Sequence, residues 1–220
     1  MMRSTVHPVL VLSLIALLAA CKKDDCDELP APTPVPNTAG SIEEYGLLDD
    51  GNYWIYQRYQ VDSVDNITST YPTLDSVFIA GDTTIEGLVY KQVRRMVGAS
   101  TGLTRFWRLD GDRLVDSYAG VQFCVDPFDL VLQTDSDGSP SQVVIDWSVL
   151  SNTSSVSVAA GNYEAYSMVG QATSYGLPIC PEWKYPRRFW VAGIGKIRYY
   201  DFFLLGPTGY RYDLVRYHVQ

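Results

Sequence analysis

From Tyr53 onward, apolar and aromatic side chains tend to fall at every second position, and turn-forming residues break the pattern every few residues. Alternation of that kind puts the apolar set on one face of a strand, whereas a helix needs a period near 3.6. The pattern is clearest where Val156, Val158 and Ala160 alternate with Ser155, Ser157 and Ala159. It predicts strands over Tyr53–Val61, Ser76–Ala80, Leu88–Val97, Thr104–Leu109, Arg113–Tyr118, Val143–Leu150, Ser154–Ala160, Tyr163–Val169, Phe189–Ala192, Lys196–Phe203 and Tyr210–Val219. No stretch holds a long helical period, so any helix is expected to be short, around Pro127–Leu132. Aromatics make up 13% of the chain, with 16 Tyr and 5 Trp. Such rings suit a half-buried pleated surface better than a helix, and they serve first as core and cross-strand pairs.

The turns agree with this reading. Leu109-Asp110-Gly111-Asp112 is the clearest hairpin signal, because Asp-Gly supplies the positive φ of a tight turn. Gly161-Asn162 and Gly206-Pro207-Thr208-Gly209 predict two more. In the last segment Tyr210, Tyr212 and Leu214 share one face, and Val215, Tyr217 and Val219 continue on the other. A β-bulge near Leu214–Val215 absorbs that change of phase and curves the strand. With about ten strands joined by short turns, the expected fold is an all-β antiparallel domain.

The N-terminus carries an address. Val9–Ala20 is an apolar run broken only by Ser13, too short for the roughly 20 residues a bilayer crossing needs, but right for the core of an export signal. It ends in Leu18-Ala19-Ala20-Cys21, which resembles the lipobox of bacterial lipoproteins. That resemblance implies cleavage before Cys21 and lipid on its thiol, with anchoring made stable by more than one acyl chain. Cys21 is followed by Lys22-Lys23-Asp24-Asp25, similar to the surface-export signal of Bacteroidota-type lipoproteins. The expected location is therefore the outer membrane, at the cell surface in preference to the periplasmic face. Residues 27–40, DELPAPTPVPNTAG, contain four prolines and read as a semi-rigid stalk. The expected organisation is a signal peptide over 1–20, lipidated Cys21 and stalk over 21–45, and one β domain over 46–220.

Charge narrows the partners. Of 17 Lys and Arg, Arg3 leaves with the signal, so 16 face 25 Asp and Glu in the mature chain. An acidic surface without a basic stripe repels phosphate backbones, so nucleic acid is not an expected partner.

Catalytic chemistry has little to draw on. His7 leaves with the signal and His218 lies two residues from the end, where chain ends seldom hold a catalytic side chain. Asp110, Asp112 and Asp116 surround a hairpin, and Asp135 and Asp137 occupy a Ser/Gly/Pro loop. They could form a calcium site or a glycosidase pair, but Asp in turns more often bonds nearby backbone. No metal, cofactor or catalytic residue is assigned. Asp62-Ser63-Val64, Asp75-Ser76-Val77 and Asp82-Thr83-Thr84 resemble the O-glycosylation sequon of Bacteroidota-type exported proteins. With Cys21 spent on lipid and Cys26 in the stalk, Cys124 and Cys180 are expected to pair, which in the chain-entropy account adds roughly 4 kcal/mol. Two separate buried thiols are the plainer alternative.

Three segments carry a wider resemblance: Gly51-Asn52-Tyr53-Trp54-Ile55-Tyr56, Thr84-Ile85-Glu86-Gly87-Leu88-Val89-Tyr90, and Trp190-Val191-Ala192-Gly193-Ile194-Gly195-Lys196-Ile197. Together they are similar to envelope lipoproteins of Bacteroidota-type bacteria and to the curved half-barrels of the lipoprotein-carrier type. The resemblance implies a strongly bent sheet, a half-barrel or open barrel, and brings no catalytic residue. The expected function is thus a non-catalytic envelope lipoprotein that binds or docks an unidentified protein, glycan or lipid. A carrier of an apolar ligand in a half-barrel cavity and a carboxylate-dependent hydrolase are the alternatives. Aromatics on both faces of a strand mark candidate binding surface, and Trp54, Tyr56, Trp107 and Tyr200 are predicted to share one.

Overall fold

The computed structural model describes residues 39–136, 143–174, 186–202 and 208–220. The predicted signal over 1–20, Cys21, Cys26 and most of the predicted stalk lie outside the described residues, as does Cys180. The chain folds as an all-β domain with one antiparallel sheet nearly closed into a barrel. Its strands are β1 (Tyr53–Asp62), β2 (Ile67–Ile85), β3 (Leu88–Val97), β4 (Ser100–Asp110), β5 (Arg113–Asp116) and β6 (Val121–Cys124). They are followed by β7 (Gln133–Ser136), β8 (Val143–Val158), β9 (Gly161–Ser174), β10 (Arg187–Val191), β11 (Gly195–Phe202) and β12 (Thr208–His218).

The order β6-β5-β4-β3-β2-β1-β12-β11-β10-β9-β8-β7 is a meander whose two chain ends pair with each other through β1 and β12. The remaining seam lies between β6 and β7 in mid-chain. There a side chain does the work of a ladder: Val121 N–H of β6 donates to Gln133 Oε1 of β7. That bond spans the seam at one point, between two edge strands so short that they offer other chains little to pair with.

The sheet has 12 strands and not about ten. β6 was not predicted because four consecutive buried residues, VQFC, show no alternation. β7, QTDS, is polar throughout and also gives no signal. In the other direction, Val143–Leu150 and Ser154–Ala160 are one bent strand, β8, whose register against β9 shifts between Val149 and Thr153. The turn expected at Gly161-Asn162 falls two residues earlier, and Val158 pairs directly with Gly161. The bulge expected near Leu214–Val215 is present, since Ile55 pairs with Arg216 and Tyr56 with Leu214, leaving Val215 unmatched.

No helix forms at 127–132. The described helix is α1 (Glu43–Gly46), ahead of the sheet. A single turn without a side-chain cap cannot stand alone, so its stability comes from what it buries. Tyr45 packs its ring 4.8 Å from Phe123 of β6, and its hydroxyl donates to Ala39 O at 2.7 Å. Gly193 N–H, in the β10–β11 turn, donates to Glu44 O at 2.7 Å. Gly46 packs so closely that a Cβ there would lie 2.8 Å from Leu109 Cδ2. The core then continues inward, with Phe123 stacked on Trp190 at 5.2 Å and fully buried Leu114, Val149, Met168 and Leu214 around them.

Candidate functional site

Beyond the Phe123–Trp190 stack, the barrel interior opens into a cavity of about 280 Å³. Its aromatic lining is Trp107 of β4, Trp147 of β8, and Tyr199, Tyr200 and Phe202 of β11. Its charged lining consists of Arg95, Arg105, Arg188 and Lys196 against Asp201 alone. A cation-rich interior is unusual in a chain whose formal net charge is −8.

A bulge places the key lysine. Trp190 pairs with Lys196 and Phe189 with Arg198, so Ile197 is an extra residue in β11. Simple alternation sets Lys196 on the face of Arg198 and Tyr200, opposite Tyr199. The extra residue turns the phase, and Lys196 joins Tyr199 in the cavity. There its Nζ lies 4.5 Å from the centre of the Tyr199 ring, 5.4 Å from Trp190 and 5.5 Å from Trp107. Burial first, and then the charges of Arg188 and Arg105, push the Lys196 ammonium down to about 7. Around it, the indole N–H groups of Trp107 and Trp190 have no acceptor among the described residues.

Arg188 of β10 stacks its guanidinium 4.4 Å from the Trp147 ring. Its Nη1 reaches Gln122 Oε1 at 3.4 Å and Met168 Sδ at 3.9 Å. Burial, followed by Arg105, pulls it down to about 10, which still leaves the guanidinium charged near neutral pH. Arg105 stands exposed at the rim. Among the described residues, none of Lys196, Arg188 and Arg105 has a carboxylate at ion-pair distance.

Nearby carboxylates are already engaged. Asp75, fully buried, receives Arg95 Nη2 at 2.5 Å. Asp116 accepts from Tyr118 N–H, Gly120 N–H and the Gln122 side-chain amide. Asp135 accepts the Trp147 indole N–H at 2.8 Å. Asp110 pairs with Arg108 at an exposed hairpin tip, and Asp112 is exposed beside it, so this cluster does turn chemistry. Asp137 lies outside the described residues. In the three sequon-like tripeptides, Asp62 accepts from Val64 N–H and Asn66, Asp75 is buried, and Asp82 pairs with Lys91 at 2.6 Å.

The four aromatics predicted to share an exposed surface do not form one. Trp54 is buried and donates to Ile194 O at 2.5 Å, and Tyr56 is buried and donates to Lys196 O at 2.6 Å. Trp107 is also buried, as a wall of the cavity. Tyr200 is half-buried, bonds Asp65 at 3.0 Å and stacks on Phe202 at 5.7 Å, and of the four only it and Trp107 line the same cavity. In a sheet closed on itself, the inner face is core, so aromatics on it are packed and not displayed. Cys124 is a buried free thiol, with Sγ 3.7 Å from Pro127 O. Its predicted partner, Cys180, lies outside the described residues.

Sequence reasoning missed Lys196 and Arg188. Arg188 falls one residue before the predicted strand, and only the out-of-phase Gly195-Lys196-Ile197 hints at the bulge that turns Lys196 inward.

No family model matches the chain, and no curated protein matches it. Two solved structures are similar in outline. One is a protein of Bacteroides fragilis described as exported and as having a YMCC-like fold, with a TM-score of 0.43 and 10% identity over 77% of this chain and 96% of that one. The other is a protein of Parabacteroides distasonis described as a lipoprotein, with a TM-score of 0.39 and 10% identity over 80% of this chain and 98% of that one.

Proposed function

We propose that the chain is a non-catalytic envelope lipoprotein, held on the outer membrane by lipid on Cys21 and facing the cell surface, whose barrel binds a small ligand. The observation that carries this reading is the cavity around Lys196. Its rings are held by ladder pairing and by one another, so the site is preformed, and a ligand need not order it on arrival. Tyr199, for example, is stacked on Tyr212 at 4.3 Å. The volume favours a small molecule: about 280 Å³ equals roughly nine waters at about 30 Å³ each. A purely apolar cargo is disfavoured, because it would leave the Arg188 guanidinium, which keeps its proton near neutral pH, facing hydrocarbon without a carboxylate.

Two experiments test the reading. The lipidated protein is purified from membranes in mild detergent, and molecules released on unfolding are identified by mass spectrometry. Leu103 lines the mouth and is 57% exposed, so Leu103→Trp fills the entrance without disturbing the core. A bound molecule is expected in the wild type, lost in Leu103→Trp and kept in Leu150→Trp, which changes an exposed site that does not line the cavity. Equal retention in all three would contradict the site. For the anchor, Cys21→Ser is expected to leave the chain uncleaved and mislocalised, and normal processing would refute the tether.

A further inference from the structure

We infer that the ligand of this cavity carries a compact anionic group, a carboxylate or a phosphate, held by Lys196 and Arg188 with Arg105 at the rim, on a flat apolar body that lies against the aromatic walls. The inference rests on the binding reading above and names its chemistry.

The argument starts from how the chain treats cations elsewhere. Burying a charge is costly unless a partner and hydrogen bonds compensate it. The protein follows that rule at Arg95 with Asp75 (2.5 Å), at Arg198 with Asp213 (2.5 Å) and at Arg211 with Asp213 (3.3 Å). Among the described residues, half-buried Arg58 also lacks a carboxylate and lies over the Tyr71 and Tyr210 rings, but the cavity brings two such cations together. Lys196 and Arg188 are both largely enclosed, and neither meets a carboxylate at ion-pair distance among the described residues. Arg105 adds a third positive charge that repels both.

The aromatic rings offset part of this cost, at about 0.5–2 kcal/mol per cation–π contact. They do nothing for the mutual repulsion, and they accept no hydrogen bond in the plane of the ammonium's N–H groups. The surrounding hydrogen-bond inventory is biased the same way. Trp107, which lines the cavity, has an indole N–H without an acceptor, beside an ammonium with three more donors. Asp201, the one carboxylate in the lining, does not reach any of the three cations. What the cavity lacks is acceptor oxygens with negative charge. The wall specifies the rest: the Trp147 ring already stacked on Arg188, with Trp107 and Tyr199, favours a planar body over a flexible chain.

The test is calorimetry on the mature protein with benzoate, phenyl phosphate, inorganic phosphate, benzamide and benzylamine. Benzoate or phenyl phosphate is expected to bind one to one, at least about tenfold tighter than benzamide, and the tighter of the two acids identifies the anion. Benzylamine is expected not to bind. Lys196→Gln should weaken the anionic probe by about tenfold or more, while Lys196→Arg, which keeps the charge, should stay within about threefold. Circular dichroism and melting temperature establish that each variant is folded. Benzamide binding as tightly as benzoate would overturn the anion while leaving a small-ligand site intact. Inorganic phosphate binding as tightly as phenyl phosphate would overturn the flat body. Absence of binding by every aromatic probe up to about 10 mM would overturn the inference, and the binding function falls only if the wild type also releases no molecule on unfolding.

Discussion

A cation kept in a barrel without a carboxylate partner should cost stability, and Lys196→Met measures that cost. Methionine keeps the length and apolar stem of lysine and removes the ammonium. Burial lowers the Lys196 amine from 10.5 to about 7. At about 1.4 kcal/mol per pKa step, that drop corresponds to at most about 5 kcal/mol, and solvent entering the mouth should reduce it to about 2–3 kcal/mol. The direction with pH follows from proton counting. Below about pH 7 both the folded and the unfolded lysine are protonated, and the full penalty is present. Between about 7 and 10.5 the unfolded chain holds a proton that the folded one has released, so wild-type stability rises through that window. The charges that face the amine are Arg95 on β3, Arg105 on β4, Arg188 on β10 and Asp201 on its own strand. Urea unfolding followed by tryptophan fluorescence, at about pH 6 and about pH 10, gives the comparison. Lys196→Met should be more stable than wild type by about 2–3 kcal/mol at the lower pH, and the gap should close at the higher. A variant less stable than wild type at low pH would refute the reasoning, because it would make the caged ammonium a net stabiliser.

The paired cations should behave in the opposite way. Asp75→Ala leaves the Arg95 guanidinium beside the Tyr212 ring without its fully buried partner, and should cost about 3–5 kcal/mol in urea unfolding. Gly102→Ala sets a Cβ about 2.6 Å from the backbone carbonyl of Arg95, and should cost about 1–3 kcal/mol, read as a lower midpoint. Cys124 is fully buried and burial pushes its thiol up to about 12, so iodoacetamide at mildly alkaline pH should spare it in the native protein and label it after unfolding. A Cys124 that resists even when unfolded and reacts only after reduction would show that it is held in a disulfide, and peptide mapping of the unreduced protein would show whether Cys180 is the partner.

Much of the sheet is legible in the sequence because strand formation here follows local alternation. Leu88–Val97 is found with its predicted bounds, and the Asp110-Gly111 hairpin closes with Asp110 opposite Arg113. The phase change at Leu214–Val215 is visible because aromatics continue on both sides of the bulge. Elements that owe their existence to tertiary contacts are not legible. β6 is uniformly buried and β7 is polar, so neither alternates, although each pairs with the strand next to it in the chain. α1 exists because Tyr45 has Phe123 to pack on. The site was hidden for a related reason. Alternation divides residues between two faces but does not say that one face will be closed inside a barrel, which is why Trp54, Tyr56 and Trp107 read as display and are core. Lys196 gives no signal of its place because a bulge at Ile197 reverses the phase within a single strand.

The most direct measurement is a crystal structure of the protein purified from membranes, with and without soaked benzoate. Density for a planar acid is expected in the cavity, its carboxylate within hydrogen-bond reach of Lys196 Nζ and the Arg188 guanidinium, and its ring against Trp147. A cavity filled by its own side chains, with Lys196 turned out to solvent and no density between Trp107 and Trp147, would contradict the account.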